Sequence, residues 1–255
     1  MKNKIFYFSS TGNCLYVSKQ IKDELEECEI ISIPKAMKEG KFEYEGDRIG
    51  FVFPLHSYGL PIIVRDFIEK IKINKDAYIF AVEVTGGGKS NFPLIEIDKL
   101  LEDKGEIKNS VIIKYISNYT RMGKNPTEER AKKAITQNND KLQEFIKTLK
   151  AKEIKALPKR YSLIHKKFYS LWKDSYKEKD KNFNVDERCV SCSMCQKICP
   201  VNNIEMVEGY PKWKGKCIDC MACINICPSK AINIGKSTQN KNRYRNPYIK
   251  AKELI

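Results

Sequence analysis

Lys4-Ile5-Phe6-Tyr7-Phe8-Ser9-Ser10-Thr11-Gly12-Asn13-Cys14 runs from an apolar, aromatic stretch into hydroxyls and a glycine, and an amphipathic pattern over 12–26 follows. A β-rich run, a tight polar turn and a helix in that order make the first part of a β–α–β unit. The pattern recurs along the chain. Further strands are expected at 29–33, 48–53, 77–85 and 110–116, after a first at 4–8, with helical patterns at 61–70 and 92–103. Strands that alternate with helices imply a parallel sheet covered on both faces. The connection after Ile33 reads as irregular, punctuated by Gly40 and Gly46. One long helix is expected over 127–150, where Ala131, Ala134, Ile135, Leu142, Phe145, Ile146 and Leu149 recur at helical spacing. A second amphipathic stretch, 157–176, carries Tyr161, Ile164, Phe168, Leu171 and Trp172, and the charge run 173–181 marks a boundary.

The turn after the first strand is a candidate anion site. Ser9, Ser10, Thr11, Gly12, Asn13 and Cys14 offer hydroxyls and free backbone N–H groups at a helix N-terminus. No lysine or arginine lies among them, which suits a buried monoester such as that of flavin mononucleotide (FMN); an ordinary N-cap turn is the plainer alternative. Two other loops follow strand ends on the same edge of the sheet, where ligands of parallel sheets bind. The first holds Pro54, His56, Ser57, Tyr58 and Gly59; the second holds Thr85, Gly86, Gly87 and Gly88. Tyr58 or His56 could stack on a flavin ring, although a packed surface aromatic is equally consistent with Tyr58. The glycines would admit backbone amides close to the ring's polar edge. Nucleotide motifs fail here: a Walker loop ending at Gly88 needs glycine where Glu83 stands, and the dinucleotide pattern from Gly86 needs glycine at Asn91.

Ten cysteines are present, and eight fall between Cys189 and Cys227. They form two copies of C-x₂-C-x₂-C-x₃-C-P: Cys189, Cys192, Cys195 and Cys199 before Pro200, then Cys217, Cys220, Cys223 and Cys227 before Pro228. This spacing is that of two-cluster bacterial ferredoxins. Three cysteines at every third position wrap three corners of a cubane, and the fourth is carried by the following turn to the other cluster. One [4Fe–4S] cluster is therefore expected on Cys189, Cys192, Cys195 and Cys227, and a second on Cys217, Cys220, Cys223 and Cys199. Zinc sites use pairs of C-x₂-C without this triplet, and disulfides are scarce in reducing compartments. Cys28 reads as a buried small hydrophobe. With only His56 and His165 as histidines and no nucleophile pattern near either, no hydrolytic triad and no catalytic residue is assigned.

The 9–14 loop, the Phe53-Pro54…Leu60-Pro61 loop, Gly86–Gly88, Ser117-Asn118-Tyr119, the cysteine repeat and the Arg243-Tyr244-Arg245-Asn246-Pro247 tail together resemble the flavodoxin–ferredoxin fusion proteins known as EFR1-type ferredoxins. The likeness runs over nearly the whole chain. It implies a flavodoxin-like doubly wound sheet of order 2-1-3-4-5 that binds FMN, with Asn118 among the contacts, and a small α+β domain with two [4Fe–4S] clusters. Two departures stand out: Cys14 replaces a usual threonine, and His56 stands where an aromatic is common. The expected division is 1–152 for the flavin domain, 153–182 for a basic helical linker, 183–236 for the cluster domain and 237–255 for a basic tail.

The formal net charge is +15, and residues 101–255 supply +16 of it. A basic surface favours encounter with acidic partners. Redox proteins with acidic docking surfaces are the expected partners; lysines at 166, 167 and across 241–252 read as solvated. Aromatics among the lysines (Tyr161, Phe168, Tyr169, Trp172, Tyr244) sit at helical spacing, so core packing is expected and no nucleic-acid partner. No stretch has the length of a membrane span or a signal-peptide core, and a cytoplasmic location is expected. FMN exchanges two electrons or one, and two clusters hold one each. These parts suit an electron carrier between protein partners; an FMN-dependent reductase of a small acceptor is the alternative.

Overall fold

A computed structural model describes residues 2–255. Strands β1 (Asn3–Tyr7), β2 (Cys28–Ser32), β3 (Arg48–Pro54), β4 (Tyr78–Thr85) and β5 (Ile107–Lys114) form one parallel sheet in the order β2-β1-β3-β4-β5. This is the flavodoxin-like order, whose direction reverses beside β1. Every residue of β4 is buried, as expected for an inner strand covered on both faces. On one face Phe6, Phe51 and Ile79 meet Phe67, Ile68 and Leu94 from α3 (Ile62–Lys70) and α4 (Phe92–Leu100). On the other, Ile5, Phe80 and Val82 meet Val17 and Ile21 of α1 (Asn13–Glu24) and Leu142 and Ile146 further along the chain. Each such buried side chain contributes about 1.5–3 kcal/mol. Glu83 is the exception in β4: both its carboxylate oxygens are buried without a hydrogen-bond partner, and burial pushes its pKa up to about 8.

Three elements differ from expectation. The segment after Ile33 is helical, as α2 (Ile33–Glu39), with Pro34 in its first turn and Gly40 closing it at φ 65°. The single helix over 127–150 is two, α5 (Glu128–Gln137) and α6 (Asn139–Lys150). Asn138 separates them because its side-chain amide donates back to the Ala134 carbonyl at 2.9 Å, an alternative to continuing the ladder. The stretch 157–176 yields the shorter α7 (Leu163–Ser175), which starts where the Ser162 hydroxyl accepts from the His165 N–H. Tyr169 and Trp172 of α7 pack on Ile62 and Phe92. Phe168 does not, being 58% exposed, since the next helical position lies about 100° round the axis. Leu163, Ile164 and Leu171 are exposed as well. Cys28 opens β2 only half-buried.

Beyond the 3₁₀ turn Tyr176–Asn182, the chain forms α8 (Met194–Ile198), the hairpin β7 (Ile204–Val207) and β8 (Tyr210–Trp213), and α9 (Ala222–Ile226). Strands β6 (Phe183–Val185) and β9 (Ile232–Ile234) pair antiparallel around them. The α+β arrangement keeps a core as small as Phe183, Ile204, Ile224, Ile232 and the cysteines themselves. The segment 237–255 is not a free basic tail. Tyr244, Asn246 and Ile249 are buried, and the Lys241 ammonium donates to the carbonyls of Thr120 and Arg121. No helix among the described residues is long and apolar enough to cross a membrane.

Candidate functional site

The turn between β1 and α1 is built on Gly12, whose φ of 100° leaves the helix to start at Asn13. The Gly12 N–H donates to the Ser9 hydroxyl at 3.0 Å, which curls the loop back on itself. Thr11 accepts from the Asn118 amide through its hydroxyl, so the loop after β5 closes on the loop after β1. Asn13 accepts from the Tyr244 hydroxyl at 2.6 Å and from the Asn246 amide at 3.0 Å. The Asn246 N–H also donates to the Thr11 carbonyl at 2.8 Å. The last segment of the chain therefore covers the outer side of the loop, and a Cβ on Gly12 would stand 3.0 Å from that of Asn246. Cys14 is buried in the core, within reach of the Ser9 hydroxyl, and burial raises its pKa and makes it an inert thiol.

Two other features bear on an anion. The Ser10 hydroxyl is buried without a hydrogen-bond partner, and the N–H groups of Asn13 and Cys14 find no carbonyl among the described residues. Such a cradle of orphaned donors at a helix N-terminus fits a phosphate monoester. The loop after β3 turns on Ser57 and Tyr58, both at positive φ, between the paired His56 and Gly59. Pro54 ends β3. His56 packs against Phe8 and Trp172, and burial pushes its pKa down to about 4, so it is a neutral ring. Tyr58 stacks on His165 at 4.1 Å, and the Tyr169 ring lies against Gly59 with its hydroxyl donating to the Leu60 carbonyl. After β4, the Thr85 hydroxyl donates to the Gly88 carbonyl and accepts from the Gly87 N–H. Gly86 backs onto Ser117, while Gly87 faces open space. The three loops named by the sequence thus share one edge of the sheet, with α7 lying over the middle one.

The cysteines surround two cavities. One is lined by Cys199, Cys217, Cys220 and Cys223, the other by Cys189, Cys192, Cys195 and Cys227. The fourth cysteine of each copy has crossed to the other set. The backbone repeats at the same interval as the sequence. Left-handed residues pair as Ser191 with Asp219, Ser193 with Met221 and Asn202 with Lys230, and α8 matches α9. These turns aim N–H groups at sulfur: Asn203 N–H to Cys199 Sγ at 3.2 Å and Asp219 N–H to Cys217 Sγ at 3.3 Å. Burial pushes Cys195 up to about 11 and Cys220 up to about 12. Without a metal these thiols stay protonated, so metal binding releases protons.

One cysteine cavity adjoins the loop after β1. Ser10 lies beside Cys220, and Ile218 joins the buried α/β core cluster that also holds Phe8 and Leu60. Asp219 is buried and accepts from Tyr119 at 2.5 Å and from Arg121 at 2.8 and 3.1 Å, with Lys179 at 3.5 Å. Burial, and then the Asp219 carboxylate, hold the Tyr119 phenol well above its usual range. On α9 the Asn225 carbonyl oxygen accepts from Asn125 and from the Tyr244 N–H, while its amide reaches Thr120. The Lys38 ammonium caps the Cys199 carbonyl at 2.9 Å. Arg121, Asp219 and Asn225 were not singled out by sequence, and Tyr119, Tyr244 and Asn246 entered only as part of the resemblance, with no site role assigned. The signal available was asymmetry in the repeat: Asp219 and Asn225 stand where the first copy has Ser191 and Lys197.

Comparison with known proteins gave matches to each part. Residues 188–232 match the family described as the 4Fe-4S dicluster domain. Among solved structures, the chain is similar to the flavodoxin of Fusobacterium nucleatum bound to flavin mononucleotide: 13% identity, 61% of this chain, 100% of that one, TM-score 0.38. The two-electron reduced flavodoxin of Megasphaera elsdenii gives 18% identity over 43% of this chain and 83% of its own, with a TM-score of 0.34. No curated protein matches by sequence. By its own strand order the chain carries a flavodoxin-like α/β fold, and its residues 188–232 match a 4Fe-4S dicluster domain.

Proposed function

We propose that the protein is an electron carrier that holds FMN and two [4Fe–4S] clusters and exchanges electrons with redox partner proteins. The observation that carries this reading is the seat of the Cys199, Cys217, Cys220 and Cys223 cavity against the loop after β1, with Ser10 beside Cys220 and Ile218 in the core cluster that also holds Phe8. When bound, FMN supplies exchange of one or two electrons, and each cluster supplies one. Ser10, Thr11 and the N–H groups of Asn13 and Cys14 would hold the phosphate; Pro54, His56, Ser57, Tyr58 and Gly59, with Thr85, Gly86, Gly87, Gly88 and Asn118, would border the ring and its ribityl chain. Cys189, Cys192, Cys195 and Cys227 would hold one cluster; Cys217, Cys220, Cys223 and Cys199 would hold the other. Neutral His56, packed between Phe8 and Trp172, keeps water and charge from the middle loop.

The packing of α7 over this loop favours a carrier over a reductase. Tyr58 is covered by His165, and Gly59 by Tyr169, which leaves little approach for a small acceptor. Iron, sulfide and flavin counted per chain after anaerobic purification test the reading. About eight iron atoms and one FMN are expected. Four iron atoms would break the cysteine assignment, and absence of flavin after reconstitution would break the other half.

A further inference from the structure

The two cysteine copies are close repeats in sequence and backbone, yet their surroundings are opposite. In the second copy Ile218 is 6% exposed in the α/β core; its counterpart Val190 is 64% exposed. Buried Asp219 corresponds to exposed Ser191, and buried Asn225 to exposed Lys197. Cys220 sits beside Ser10, whereas Cys192 is exposed. Pro200, next to the carbonyl that Lys38 caps, is buried, and Pro228 is exposed. The second copy thus uses one edge of its cavity to seat on the carboxyl ends of the sheet. The same edge of the first copy is bare among the described residues.

We propose that this bare edge, centred on Val190 and Cys192, docks a separate one-electron carrier protein, in the way the second copy is seated on its own α/β domain. The inference rests on the carrier reading above. The patch has the composition of a docking centre. The Ser191 hydroxyl donates to the Gly209 carbonyl at 2.6 Å, tying the Val190 loop to the β7–β8 turn. That turn adds Val207 and Tyr210, exposed by 40% and 42%. An apolar centre of this kind, open on a monomer surface, marks an interaction site. The partner's chemistry follows from what replaces the buried polar contacts of the seated copy: Lys197 stands for Asn225 and is exposed, and Lys230, just past the end of the second copy, is exposed as well. With Glu208 the acidic residue beside Gly209, the fitting partner offers an apolar patch edged by carboxylates. The exchange moves one electron between the two proteins, and no proton or bond changes hands.

The test uses the purified holoprotein and, as probe, a stand-alone bacterial flavodoxin of net negative charge. Binding is measured calorimetrically at low ionic strength, and carbodiimide cross-links are mapped by mass spectrometry. Val190→Glu and Lys197→Glu are each expected to weaken binding by about tenfold, with Lys197 among the cross-linked residues and iron, sulfide and flavin contents unchanged. Phe168→Glu, on the exposed face of α7, is expected to change nothing. The proposal is overturned if the unaltered protein does not bind the probe, if both patch variants bind as tightly as it does, or if weakening and cross-links fall on α7 instead. Failure of the carrier reading would show separately, as wrong iron or flavin counts in the unaltered protein.

Discussion

Glu83 lies in the wholly buried strand β4, where burial outweighs the one backbone N–H near its carboxylate, that of Ser90. Its pKa near 8 in the folded chain exceeds the ordinary value of about 4.3 in an unfolded one. Between those values the folded state holds a proton that the unfolded state has lost, so stability falls as pH rises through that window. Thermal unfolding at pH 6 and pH 8.5 should show a drop in the unaltered protein. Glu83→Gln should flatten it and raise stability at the upper pH by roughly 2–4 kcal/mol. A steeper drop in the variant would contradict this assignment. Asn225 is a different residue-scale case, since five residues from three segments converge on its side-chain amide: Asn118, Thr120, Asn125, Met221 and Tyr244. Asn225→Ala leaves Asn125 and the Tyr244 N–H without their acceptor and should cost about 2–3 kcal/mol by chemical denaturation. Neither residue could be picked from sequence, because each depends on which distant segments arrive beside it. The eight cysteines could, because their spacing is local and a cubane admits few alternatives.

Elements were legible where their signals were short-range. All five strands could be placed from apolar β-rich runs, and three sheet-covering helices from their periodicity, with no end displaced by more than three residues. Helix α2 was hidden by Gly40, a stop signal read as irregularity. The break at Asn138 was hidden by apolar periodicity that continues through it. For α7, periodicity predicted burial of the whole aromatic set, yet Tyr169 and Trp172 are buried while Phe168, with only the Tyr58 ring beside it, stays 58% exposed. That division is measurable. Tyr169→Ala removes a buried ring and its bond to the Leu60 carbonyl and should cost about 3–5 kcal/mol. Phe168→Ala should stay within about 0.5 kcal/mol. Equal losses for the two would mean that α7 sits differently.

Across the whole molecule, the two parts are joined by more than a linker. Ile218, Asp219 and Asn225 enter the α/β part, and Tyr244 and Asn246 return to its first loop. The small C-terminal part has few apolar residues of its own, so its order depends on metal and on this seat. Oxidative loss of iron should make the chain beyond residue 183 sensitive to limited proteolysis while the sheet and its helices persist. Truncation before Arg243 should lower FMN affinity, by about tenfold in fluorescence titration, through loss of the contacts that hold Asn13 and Thr11. That the three loops share one edge of the sheet was readable because strand ends announce themselves. Their enclosure by the far end of the chain was not, because hydrogen bonds spanning 231 and 233 residues leave no local trace.

Those long-span bonds also set a timetable for biosynthesis. Asn13 leaves the ribosome early, but the tyrosine and asparagine that hold its side chain are made more than two hundred residues later. At about 5–20 residues per second, the nascent first loop waits roughly 10–50 s for its last two ligands. Until then the first loop of the newborn α/β half stays unbraced, and its final shape waits on the synthesis of residues 244 and 246.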